Sequence, residues 1–141
     1  MLRELKIENL AIIDELDLEF GDGLIVLTGE TGAGKSIILS GINLLIGEKA
    51  SVDMIRDGED HLLAQGVFEI NEEQAEELSA RFGIDVEDNE VIVRRYFDRN
   101  SRGKVYVNGV RVSLTNLKEI MGTLVDLSLI HISEPTRRTP I

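Results

Sequence analysis

Residues 27–41 read LTGETGAGKSIILSG. Within them Gly29, Gly32 and Gly34 precede Lys35 and Ser36 at the spacing G-x-x-x-x-G-K-[ST]. A short apolar run at 24–27 comes before, consistent with a strand covered on both faces. After it, Ile38, Leu39, Ile42, Leu45 and Ile46 recur at helical spacing, and Gly47 is placed to end that helix. The order is therefore strand, glycine loop, helix. A phosphate chain needs many donors at close range, and backbone N–H groups supply them only where no side chain intervenes. Gly29, Glu30, Thr31, Gly32, Ala33, Gly34, Lys35 and Ser36 are thus the candidate phosphate-binding residues. The helix N-terminus adds oriented donors and a favourable dipole. Lys35 is placed to reach phosphate oxygens as a mobile point charge, and Ser36 offers a hydroxyl to Mg²⁺. The loop alone does not separate ATP from GTP, nor binding from hydrolysis. Hydrolysis needs a second acidic Mg²⁺ partner. Asp126 follows TLV, a run too short for that role.

Upstream, 2–10 and 12–20 alternate apolar and polar residues, as half-buried strands do, with the bend near 9–11. GDG at 21–23 signals a turn. Downstream, 50–60 reads as a loop and 62–70 as a strand. Asn71 is placed to cap a helix over 72–81. Strands follow at 91–97 and 104–107, then a tight turn in VNGV, then a helix over 114–121 capped by Ser113. The expected fold is α/β, a mixed sheet with an antiparallel N-terminal edge around the phosphate-loop helix.

The 141-residue chain carries a net charge of −11, which argues against wholesale electrostatic binding of nucleic acid. The charge is uneven. Residues 69–90 hold nine acids and one base, whereas 91–112 hold six bases and one acid. This basic hairpin, with Arg95, Arg99, Arg102 and Lys104, reads either as a phosphate-facing surface or as a solvated strand face. Tyr96 and Tyr106 within it could stack bases, but read better as cross-strand partners. Glu72, Glu73, Glu76 and Glu77 read as a solvated helix face, and His61 as a lone edge residue. With no cysteine there is no disulfide framework and no thiolate metal site. No membrane span and no signal peptide are expected, which fits a cytoplasmic setting.

Several stretches extend the reading beyond the loop: LRELKIENLAIIDELDLEF, GLIVLTGETGAGKSIILSGINLLIGEKAS, DMIRDG, GVFEI, VIVRRYFDRNSRGKVYVNGVRVSLTNL and LVD, in that order. Together they resemble the N-terminal part of the RecN family, bacterial double-strand-break repair ATPases similar to SMC proteins. The resemblance implies the N-terminal half of an ABC/SMC-type P-loop ATPase head over residues 1–126. It implies ATP and Mg²⁺ at Gly29 to Ser36, a nucleotide-adjacent position for Ile55 and Arg56, a second head by self-association, and DNA engaged through the full-length protein near the nucleoid. The family's signature loop, acidic Mg²⁺ strand, catalytic glutamate and switch histidine belong to its later sequence, so weak turnover is expected of this chain alone. From Leu127, LSLIHISEPTR is similar to a translated sequencing adaptor, and residues 127–141 are expected to be a non-native tail. The alternatives are a nucleotide-binding subunit of an ABC transporter, or a truncated gene fragment without function of its own. Phe20 is the one aromatic upstream of Gly29 that could stack on adenine, as transporter subunits require.

Overall fold

The computed structural model describes residues 2–20 and 32–124. Strands β1 (Leu2–Leu10), β2 (Ile13–Glu19), β3 (His61–Glu69), β4 (Glu90–Asp98), β5 (Gly103–Val107) and β6 (Val110–Val112) form one six-stranded sheet in the order β2-β1-β3-β4-β5-β6. The described residues also form helices α1 (Gly32–Leu45), α2 (Glu72–Phe82) and α3 (Leu114–Leu124) and a 3₁₀ turn at Val52–Met54. The α/β expectation holds. Every pairing among the described strands is antiparallel. The apolar run at 24–27, expected to be a strand covered on both faces, lies outside the described residues. So do the 21–23 turn, Asp126 and the tail from Leu127.

Period-2 patterning decides which face is which. Leu5 and Ile7 of β1 pair with Leu18 and Leu16 of β2, and Leu62, Ala64, Gly66 and Phe68 of β3 pair with Phe97, Arg95, Val93 and Val91 of β4. These residues form the core face. The opposite face carries Glu4, Lys6 and Glu8 at one end and Arg94, Tyr96, Lys104 and Tyr106 at the other.

Helix α1 lies on the core face across β1, β3 and β4, and buries Ile37, Ile42, Leu44 and Leu45. Two glycines allow the approach. A Cβ on Gly41 would sit 2.4 Å from Ile7 Cδ1, and one on Gly66 would sit 2.6 Å from Leu45 Cδ1. Helix α3 adds Leu117, Ile120, Met121 and Leu124, a spacing of i, i+3, i+4, i+7 that buries one stripe.

Local signals fix the connections. The bend between β1 and β2 is held by Ala11 N–H donating to Met54 O (2.8 Å) and Arg56 N–H donating to Asn9 O (2.9 Å). Asn71 and Gln74 form a reciprocal capping box at the start of α2. Ser113 Oγ accepts from Asn116 N–H (3.0 Å) at the start of α3. Asn108 and Gly109, with φ of 49° and 83°, make the tight turn between β5 and β6.

Candidate functional site

The glycine-loop motif meets the described structure at the start of α1. Gly29, Glu30 and Thr31 lie outside the described residues; Gly32, Ala33, Gly34, Lys35 and Ser36 form the opening of the helix. The helix begins at Gly32, four residues earlier than the apolar spacing predicts. The spacing rule reads only side chains, and the first turn of this helix has none that are apolar and large. The first four N–H groups of an α-helix have no acceptor within it, and here they belong to Gly32 through Lys35. No acidic residue occupies that turn. An anion placed there meets donors and the positive end of the helix dipole without carboxylate repulsion.

The other end of α1 is closed tightly. Gly47 N–H donates to Leu44 O (3.3 Å) and Glu48 N–H to Asn43 O (3.0 Å), with Gly47 at φ 108°, the Schellman arrangement. Arg95 reaches this end of the helix from β4 and shares one of these acceptors, Leu44 O. Its Nη1 donates to Leu44 O (2.8 Å) and to Glu48 O. Arg95 is 4% exposed, and burial lowers its pKa from the ordinary guanidinium value. An arginine nevertheless keeps its charge, so a fixed cation stands at the negative end of the helix.

That placement corrects the expectation for the basic hairpin. Arg95, expected with Arg99, Arg102 and Lys104 as a candidate DNA contact, faces the core and donates to the end of α1 instead. Its phase shows why: Val91, Val93, Arg95 and Phe97 share one face of β4. Arg99 is exposed but also engaged, with Nε donating to Glu59 O (2.6 Å) and Nη2 to Arg56 O (3.1 Å). Arg102 and Lys104 are exposed.

Ile55 is 3% exposed and pairs with Leu10 in an isolated bridge. It belongs to the core and also lines the recess that Arg56 borders. Arg56 is half-buried and borders a recess of about 480 Å³ with Ala11, Ile12, Asp53 and Asp57. The two tyrosines are not directly opposite one another. Tyr96 pairs with Lys104 and Tyr106 with Arg94. His61 is not isolated either: its ring stacks on Tyr96 with centroids 5.1 Å apart. The sequence held the signal for this, because residues two apart on paired strands share a face, but the register had to be known first. Among the described residues no group of His, Asp and Glu could hold a metal ion, and no helix is long and apolar enough to cross a membrane.

The fold defines a class before it defines a family. Solved structures with this arrangement include a chain from work on ATP-driven dimerisation and DNA-stimulated activation of SMC ATPases, with a TM-score of 0.69 and 17% identity over 86% of this chain and 78% of that one. The SMC head domain from Thermotoga maritima matches with a TM-score of 0.59 and 21% identity, over 84% of this chain and 41% of that one. RecF-ATPrS, a recombination mediator of the RecFOR pathway, gives 0.61 and 21%, over 83% and 29%. The fold is that of an SMC/RecF-type ATPase head.

The chain belongs to the AAA domain family, whose profile matches residues 4–134. It resembles the DNA repair protein RecN of Bacillus subtilis, 42% identical over 90% of this chain. RecN of Synechocystis sp. is 41% identical over 91% of it. The chain spans 22% of the length of each of these relatives.

Proposed function

We propose that the chain is the ATP-binding part of an ATPase head that acts in DNA double-strand-break repair. The observation that supports this most is the coincidence of the glycine-loop motif with the start of α1, on a fold of the SMC and RecF head type. In this reading the backbone of Gly29 to Gly34 would cradle the phosphates, Lys35 would neutralise their oxygens, and the Ser36 hydroxyl would help hold Mg²⁺. Bound Mg²⁺ would supply charge neutralisation between phosphate oxygens. Arg95 and the Schellman turn hold the far end of α1 against the sheet.

The whole protein would pair two heads around nucleotide and engage DNA. Residues 1–126 would be the native portion of the head, with 127–141 an appended tail, in a cytoplasmic, nucleoid-associated protein. Ile55 would support the recess beside Arg56, with Arg56 the nucleotide-adjacent group. Activating water requires an acidic partner and a second head, which the family places outside these 126 residues. The chain alone is therefore expected to bind Mg²⁺-ATP and to release phosphate only at a trace rate. A phosphate-release assay tests this. Robust turnover that Lys35→Ala abolishes would contradict the assignment of this chain as an incomplete half-site.

A further inference from the structure

The face of the sheet turned away from α1 carries a pattern that nucleotide binding does not use. On β4, Arg94 and Tyr96 point to this face; on β5, Lys104 and Tyr106 do. The register sets Arg94 against Tyr106 and Tyr96 against Lys104. Cations and rings thus alternate both along and across the strands. Lys104 Nζ lies 5.7 Å from the Tyr96 ring centroid, and His61 continues the aromatic row by stacking on Tyr96. Arg94, Tyr96, Lys104 and Tyr106 border an open groove of about 620 Å³ with Gln65 and Ile92, and Ile92 is 40% exposed.

We infer that this groove is a binding platform for single-stranded DNA. The inference rests on the reading of DNA as the protein's partner and assigns a place to it. Unpaired bases offer π-faces that stack on tyrosines whatever their sequence, while the phosphates between them seek cations. A grid of alternating ring and cation matches that repeat. A duplex hides its base faces and would use only the two cations. The acids of this face sit apart from the grid: Glu4, Glu8, Glu15, Asp17 and Glu19 are on β1 and β2, Glu69 and Glu90 at the far ends of β3 and β4. Asp98, nearest to His61, is engaged through Oδ1 with the N–H groups of Asn100 and Arg102. Arg111, although opposite Tyr106 in register, lines a different recess with Lys49 and Phe97.

The chain supplies its own probe. It has no tryptophan, and its two tyrosines are Tyr96 and Tyr106. Intrinsic fluorescence of the whole chain therefore reports on this groove. Titration with an oligothymidylate should quench it, after inner-filter correction, with an end-labelled oligonucleotide giving the affinity by anisotropy. Tyr106→Ala should weaken binding about tenfold, and Tyr106→Phe should keep it. The plot of log affinity against log salt should have a slope of about −1.4, reduced by about 0.7 in Arg94→Gln. Circular dichroism checks that each variant is folded. Binding without quenching, binding unchanged by the Tyr106 and Arg94 variants, or equal affinity for duplex would overturn the platform while leaving DNA as partner. Absence of binding to either form, with Mg²⁺-ATP binding intact, would overturn the platform and leave the nucleotide reading standing.

Discussion

Arg94 and Arg95 are neighbours in sequence and opposites in structure. Arg94 lies in an open groove among tyrosines and solvent. Arg95, one residue on, is buried and donates to the carbonyls that close helix α1. The same side chain serves two purposes because a strand alternates its faces. One face of β4 belongs to the helix with the glycine loop, and the other to whatever approaches from outside. A count of basic residues along a segment cannot separate the two roles; the phase of each residue within the strand can.

That contrast is open to direct attack. Arg95→Met should cause the largest loss, about 3 kcal/mol of stability, because it removes a buried charged donor from Leu44 O and Glu48 O. Urea denaturation measures it, and a loss under about 0.5 kcal/mol would show that the buried guanidinium is dispensable. Next in size is Gly41→Ala. Alanine favours helix by about 1 kcal/mol over glycine. Here its Cβ would press on Ile7, which is fully buried, and overpacking costs about 1–3 kcal/mol. The expected outcome is a small net loss on the core face; a stabilised protein would mean that Ile7 moves aside freely. Arg94→Gln should change stability least, within about 0.5 kcal/mol, since an exposed side chain gives up little to water. If Arg94→Gln cost as much as Arg95→Met, the distinction between the faces would fail.

Much of the fold was legible because its signals are local. Asn71, Ser113 and the Asn108–Gly109 pair each announce a cap or turn through their own backbone chemistry, and the structure has all three. The alternation in β1 and β2 likewise gave their pairing and bend. What escaped depends on partners distant in sequence. Arg95 meets residues about fifty positions away, and Arg99 is tied to the 56–59 loop by side-chain donors. The stacking of His61 on Tyr96 requires the β3–β4 register. Helix α1 starts earlier than its apolar spacing, because glycine and alanine carry no periodic signal. The glycine-loop motif was plain in the sequence, since its chemistry is written in consecutive residues.

If the proposed function holds, the core face, α1 and Arg95 together present the start of α1 to a polyphosphate. Calorimetric titration of the chain with ATP in the presence of Mg²⁺ tests that most directly. The expected result is saturable binding that Lys35→Ala weakens by at least about tenfold while circular dichroism stays unchanged. Equal heats from the chain and from Lys35→Ala, or no heat from a folded sample, would contradict it.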